Sequence, residues 1–124
     1  MFQFPKNQKL CSNKSIENLF IQGHSIRHKP FRLVWKFEKN RDQVAVKSLI
    51  VVSKKSIKYA KDRNIIKRKV KEAYRLQKKD LEAVLERKNQ QLNLALIYQY
   101  DKLLNYNVLE QKISLLLKRL INTI

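Results

Sequence analysis

The side chains with the strongest chemical signature lie in one stretch, Ser53 to Lys79 (SKKSIKYAKDRNIIKRKVKEAYRLQKK). It carries Lys54, Lys55, Lys58, Lys61, Arg63, Lys67, Arg68, Lys69, Lys71, Arg75, Lys78 and Lys79 against two acids, Asp62 and Glu72. Solvated helical faces usually interleave both signs, because an acid four residues from a base relieves repulsion. Here Asn64, Lys67, Arg68, Lys71, Arg75, Lys78 and Lys79 fall on one arc at helical spacing, and Glu72 lies off it. Cations spaced along one axis suit a row of phosphates. Each one that displaces a condensed counterion makes affinity fall with salt. The implied chemistry is polyanion binding.

Other constellations carry less. His24 and His28 stand four residues apart, a metal-ligand spacing only on a helix, and Gly23 and Pro30 argue against a helix there. No third ligand accompanies them. Cys11 is the only cysteine, which excludes an internal disulfide and a Cys-rich metal site; it reads as a small half-buried residue. Asp42, Asp62, Asp80 and Asp101 are isolated and form no cluster for paired metals. With Gly23 as the only glycine there is no Gly-rich phosphate loop, so P-loop and dinucleotide-fold chemistry are excluded. No catalytic residue and no metal ligand is expected in the chain.

A net charge of +18 on 124 residues repels itself in a compact state and calls for a neutralising polyanion: RNA, DNA or an anionic membrane surface. The 44% apolar content fills one core, and the absence of repeats and low-complexity linkers gives a single domain over residues 1–124. The N-terminal stretch lacks the apolar run of a signal peptide, and no stretch approaches the roughly 20 apolar residues of a membrane span. Together with the single cysteine this predicts a reducing cytoplasmic setting and no membrane partner.

The elements that must position the basic stretch follow from periodicity. Residues 1–11 read either as a loose tail or as an extended basic arm packed on the sheet, adding Lys6 and Lys9 to the basic surface. Asn13 to Ile21 reads as a short helix, capped by Ser12 or Asn13. Ile16, Leu19 and Phe20 form its buried face, and Gly23 ends it by taking a positive φ. His24 to Arg27 leaves room for a short extra strand. Phe31 to Phe37 alternates, with Phe31, Leu33, Trp35 and Phe37 inward and Arg32, Val34 and Lys36 outward. Val44 to Val52 reads as a central strand forming an antiparallel pair with Phe31 to Phe37. One long helix is expected from Asp62 or Arg63 to about Lys88, with Asp62 as its cap. Its buried side would hold Ile66, Val70, Ala73, Tyr74, Gln77, Leu81 and Val84. Leu92 to Tyr98 reads as a strand in the same sheet, and Asn107 to Ile121 as a last helix with Val108, Ile113, Leu116, Leu117, Leu120 and Ile121 inward. The fold class is α+β, an α/β sandwich in the order α-β-β-α-β-α. Most aromatics read as core; Phe20 is open between core packing and stacking on a base of single-stranded RNA.

Ser53-Lys54-Lys55, Ala60, Arg63-Asn64, Lys67-Arg68 and Lys71-Glu72 resemble the signature of the protein subunit of bacterial ribonuclease P. Phe4-Pro5-Lys6 with Leu10 resembles the start of that family, and Ile16, Phe20 and Gly23 its first helix. The chain departs from the pattern at Ile65, Lys61, Ile16 and Val34, where the family commonly has Arg, Val, Phe and an aromatic. The resemblance implies a ribosomal protein S5 domain 2-like fold with a left-handed β-α-β crossover. It implies a protein subunit of an endoribonuclease that hydrolytically removes the 5′ leader from precursor tRNA, with the active site and most of the Mg2+ in the RNA. By that resemblance Lys54, Lys55, Arg63, Asn64, Lys67, Arg68, Lys71 and Arg75 bind the ribonuclease P RNA. Ile16, Phe20, Arg32, Val34 and Lys36 line the cleft for the leader. The resemblance calls for no obligate protein partner. Composition alone equally fits a structural, ribosome-associated RNA-binding protein. Binding to an anionic membrane through the long helix fits less well, because that helix needs its apolar stripe for the core.

Overall fold

The structure is a computed structural model that describes residues 8–124. Phe4, Pro5 and Lys6 lie outside the described residues. The chain order is α1 (Asn13–Gln22), β1 (His24–His28), β2 (Phe31–Phe37), β3 (Val46–Val52), α2 (Ala60–Gln77), α3 (Lys79–Arg87), β4 (Leu92–Tyr98) and α4 (Tyr106–Thr123). The strands form one sheet in the order β1-β2-β4-β3. β1 pairs antiparallel with β2, β2 antiparallel with β4, and β3 parallel with β4.

Two strand expectations are corrected here. β2 and β3 are not neighbours, and β3 is an edge strand. The central place goes to β4, whose seven residues are all buried, as a strand covered on both faces requires. The β2–β3 connection spans the start of β4 instead of closing a hairpin. Glu38 N–H donates to Gln91 O at 2.9 Å, Leu92 N–H donates to Ala45 O at 2.9 Å, and Asn40 N–H donates to Gln91 Oε1 at 2.8 Å. The arm closes the free edge of β3: Lys9 bridges Ser48 in parallel, and Leu10 N–H donates to Ser48 O at 3.0 Å. For these residues the packed arm describes the chain, not the loose tail.

Strand alternation sends successive side chains to opposite faces, and each face has its own core. Leu33, Trp35, Ile50, Leu94, Leu96 and Tyr98 meet α2, α3 and α4 through Ile66, Val70, Tyr74, Leu81, Leu85, Leu109, Ile113, Leu116 and Leu120. Val34, Ala95 and Ile97 meet Leu19 of α1 and Leu10 of the arm in a smaller cluster. The result is helices, sheet, one helix. Tyr74 is 1% exposed, and its hydroxyl lies 2.7 Å from Ser48 Oγ. Burial holds that phenol far above its ordinary pKa.

The long helix is two helices. α2 starts at Ala60, with Tyr59 at the cap and Asp62 inside the first turn, where its charge still faces the positive helix end. It breaks at Lys78, whose ψ of −12° leaves the helical value. The break rephases α3, so Leu81 and Leu85 are buried while Val84 is half-buried. In α4, which begins at Tyr106 under an Asn105 cap, Leu109 is buried and Val108 is half-buried. Gln77 is also half-buried, and Phe37 is 40% exposed rather than core.

Gly23 ends α1 for a reason other than positive φ. Its φ is −74° and ψ 159°, an extended conformation open to any residue. A Cβ there would sit 2.3 Å from Leu19 O and 2.8 Å from Val34 Cγ1. Glycine is required because the helix end presses on β2. Ser12 caps the other end of α1, its Oγ accepting from Ser15 N–H at 3.3 Å.

Candidate nucleic-acid interface

The basic surface is built from a loop and a helix face. The loop, Ser53 to Tyr59, leaves β3 at its parallel end. Ser53 O accepts from Ile57 N–H at 3.0 Å, and Ser53 Oγ accepts from Ser56 N–H at 3.2 Å. Ile57, 5% exposed, anchors the loop in the main core. Lys54, Lys55 and Lys58 are left exposed around that anchor.

On α2 the buried line Ile66, Val70, Ala73 and Tyr74 fixes where every other side chain points. Asn64 and Arg68 are exposed on the far side, while Arg63, Lys67 and Lys71 are half-buried along the flank towards the arm. The Lys71 pKa is lowered, first by burial and then by the charges of Lys9 and Lys67. Lys9 and Lys67 therefore both lie within electrostatic reach of the Lys71 ammonium. Lys78 on the same flank donates to Gln8 Oε1. The row that helical spacing carries to Lys78 thus continues onto the arm at Lys9, as the packed-arm reading expects.

Two expected members of the row are engaged inside the protein. Arg75 Nη2 donates to Glu72 Oε1 at 2.7 Å, an i,i+3 pair towards the start of α4. Arg63 Nη1 donates to Ile57 O at 3.0 Å and to Lys58 O at 2.8 Å. Ile65, which stands where the family commonly has Arg, is half-buried on the flank away from the row.

A cavity of about 550 Å³ opens beside this loop on the outer face of the sheet. Phe20 of α1, Arg32 of β2, Val51 of β3, Ile97 of β4 and Tyr100 line it, and Lys55 and Ser56 of the basic loop form its rim. Phe20 is 37% exposed, so part of the residue stays open where it lines the cavity. Arg32 is held in place across the β1–β2 pair, its Nε and Nη2 donating to Ser25 Oγ at 3.2 and 3.1 Å. Val51, Ile97 and Tyr100 were not anticipated, since only the strand order β2-β4-β3 brings them beside Arg32.

The remaining cleft candidates are placed elsewhere. Val34 is 1% exposed beneath α1, where it backs the helix and offers no surface. Ile16 is half-buried against the same cluster. Lys36 lies at the opposite end of the strand, 3.8 Å from Glu38 Oε1. Near it a larger cavity of about 680 Å³ opens around the start of α1, among Lys9, Ser12, Lys39, Arg41 and Lys47. Its two acids are internally matched. Glu38 Oε2 accepts from Ser15 Oγ at 2.8 Å and from Asn93 Nδ2 at 3.0 Å, and Asp42 pairs with Lys47 at 2.9 Å. Among the described residues no three His, Cys, Asp or Glu side chains gather to hold a metal ion, and no helix is long and apolar enough to cross a membrane.

The family described as Ribonuclease P matches residues 4–121 of the chain. A Ribonuclease P protein component from Porphyromonas gingivalis is 32% identical over 111 residues, covering 89% of this chain and 80% of the relative. A second strain of that organism has one that is 29% identical over 110 residues, with the same coverage. Among solved structures, the RNase P protein of Staphylococcus aureus superposes with a TM-score of 0.72 at 21% identity, covering 91% of this chain and 94% of that one. The protein from Thermotoga maritima gives a TM-score of 0.67 at 20% identity, covering 90% and 96%. These two likenesses establish the shared α+β fold.

Proposed function

The chain belongs to the ribonuclease P protein family, and from that premise we propose that it binds the ribonuclease P RNA and, beside it, the single-stranded 5′ leader of precursor tRNA. As a family member it is the protein component of a tRNA-processing ribonuclease and has an RNA partner. In this reading Lys54, Lys55, Asn64, Lys67, Arg68 and Lys71 meet phosphates of the RNA subunit. Phe20 stacks on a leader base and Arg32 meets a leader phosphate.

The observation that carries the reading is the position of Lys55. It belongs to the basic loop and also lines the cavity under Phe20 and Arg32. One continuous surface therefore offers point charges for a backbone and an aromatic face for a base, the pairing used on single strands. Two RNAs held side by side repel, and cations at their junction relieve that repulsion.

The hydrolytic step is assigned to the RNA subunit, which together with the substrate would hold the Mg2+. The protein's contribution is to fix phosphates so that metal ions bind there at lower concentration. Its setting would be the cytoplasm, with no membrane and no obligate protein partner.

The test mixes purified protein, cognate ribonuclease P RNA and 5′-labelled precursor tRNA at low Mg2+, omitting each in turn. Cleavage that requires both macromolecules is the expected result. Cleavage by the protein without RNA would overturn the assignment of the chemistry, and no stimulation despite tight binding would overturn the tRNA role.

A further inference from the structure

Arg63 stands in the most basic part of the chain, yet its guanidinium is turned back on the protein. Nη1 donates to two successive backbone carbonyls, Ile57 O at 3.0 Å and Lys58 O at 2.8 Å. The same short segment is tied at its other end by Ser53, which accepts from Ser56 N–H and Ile57 N–H. Between the two ties only Ile57 is buried, while Lys54, Lys55 and Lys58 are exposed. A loop of like charges repels itself and would sample many conformations when free. Fixing it costs conformational entropy, on the order of 1–2 kcal/mol per residue. Bonds from a charged donor are the strong kind, and a guanidinium presents its donors in a rigid fork.

We propose that Arg63 is a positioning residue: it braces the Ser53–Tyr59 loop so that Lys54, Lys55 and Lys58 meet RNA already ordered, and does not itself neutralise a phosphate. The inference rests on the RNA-binding reading above. It gives the arginine a role distinct from Arg68, which is exposed on the outer face of the same helix. The brace lowers the entropy lost on binding, the general effect of pre-organisation.

Direct contact and bracing differ in what salt does. Loss of one phosphate contact flattens the salt dependence of log affinity by about 0.7 to 0.9. Loss of a brace leaves the number of contacts unchanged and lowers affinity at every salt concentration. The experiment measures binding of ribonuclease P RNA across a salt series for wild type, Arg63→Ala, Arg63→Lys and, as the direct-contact control, Arg68→Ala. The same series is run in a Lys54→Ala/Lys55→Ala/Lys58→Ala background. Hydrogen exchange of the Ile57 amide is followed in the free proteins.

The expected result for Arg63→Ala is binding weaker by about tenfold, the scale of one charge-assisted hydrogen bond. The slope should stay at the wild-type value, and Ile57 exchange should be faster by a similar factor. Arg63→Lys should recover part of the affinity. In the triple-alanine background the arginine substitution should change affinity by less than about twofold, because coupled residues are non-additive. A flattened slope with a loss that adds fully to the triple variant would overturn the proposal, as would unchanged Ile57 exchange. If Arg63→Ala does not fold, Arg63→Gln removes the charge and is read by the same slope. Absence of salt-sensitive RNA binding by the wild type would instead refute the functional reading, and Ile57 exchange in the free protein would still decide whether the brace exists.

Discussion

The two faces of the sheet are made by alternate residues of the same strands, and they have been put to different uses. The inner face, under α2, α3 and α4, is dry: Leu33, Leu94, Leu96, Ile66, Val70, Leu81 and Ile113 are all 0% exposed. Among the described residues the outer face is covered by the ten residues of α1 and by Leu10 of the arm. It leaves Leu49 and Val51 half-buried, Phe20 37% exposed and Ile21 70% exposed. A strand with period 2 can therefore stabilise through one set of side chains while the other set stays available to a ligand. A charge of +18 works against compactness. One fully packed face counters that repulsion while the other keeps an open cleft.

The largest test of this division is Leu94→Ala. Leu94 sits in the central strand with both neighbours paired. Truncation removes buried methyls and leaves a cavity, for a loss of about 3 kcal/mol. Thermal unfolding should fall by roughly 10 °C, on the scaling for domains near this size. Below the transition the salt slope of RNA binding should match wild type. A loss under about 1 kcal/mol would mean that the inner face is not where the stability lies.

Gly23→Ala probes the seam where the two faces share a constraint. The added Cβ meets Leu19 O and Val34 Cγ1 inside contact distance, and the helix end must lift from β2. Overpacking of this kind costs about 2 kcal/mol, readable as a lower urea midpoint at unchanged slope. Lifting α1 also moves Phe20, so discrimination between leader-bearing and mature tRNA should weaken. Full stability would show that α1 docks loosely enough to absorb the methyl.

Phe20→Ala belongs wholly to the outer face. With more than a third of the residue exposed, stability should drop by about 1 kcal/mol or less. Base–aromatic stacking is worth about 1–3 kcal/mol per base, so affinity for leader-bearing substrate should fall about tenfold while mature tRNA is unaffected. Equal loss on both substrates, with a lower melting temperature, would move Phe20 to the core and narrow the difference between the faces.

How much of this was legible in the sequence depended on range. The outward set Arg32, Val34 and Lys36, the core of the α4 stripe (Ile113, Leu116, Leu117 and Leu120) and the single-signed arc of α2 are set by neighbours a few residues apart, and periodicity recovers them. In α1 it recovers Leu19 while Phe20 stays exposed, and at the start of α4 Leu109 is buried in place of Val108. The strand order is set by β4, whose partners lie some fifty residues back, so the adjacency of β2 and β3 was the local guess and was wrong. The break at Lys78 has no glycine or proline to announce it; only the burial of Leu85 in place of Val84 reveals it. In the site, composition marks the cations but not their engagements. Arg63 on two carbonyls and Arg75 on Glu72 look, in sequence, like every other cation of the row. Gly23 was expected to end the helix and does, but through crowding rather than through its dihedral.

The smallest expected effect asks whether the basic flank trades stability for binding, as the outer face does. Lys71 has its pKa lowered, by burial first and by Lys9 and Lys67 next. The folded protein therefore disfavours its charged form. For a lysine with a depressed folded pKa, the destabilisation is present at neutral pH, where the group is charged in both states. It is relieved as pH rises through the lowered value towards the ordinary 10.5. Phosphates arriving on this flank reverse the repulsion. Lys71→Gln should then raise the melting temperature of the free protein by about 1 °C, a few tenths of a kcal/mol after solvent screening. It should weaken RNA binding and flatten the salt slope by about one contact. An unchanged slope would place Lys71 outside the contact. A lower melting temperature for the variant would show that the half-buried aliphatic stem of Lys71 contributes more to the fold than its charge takes away.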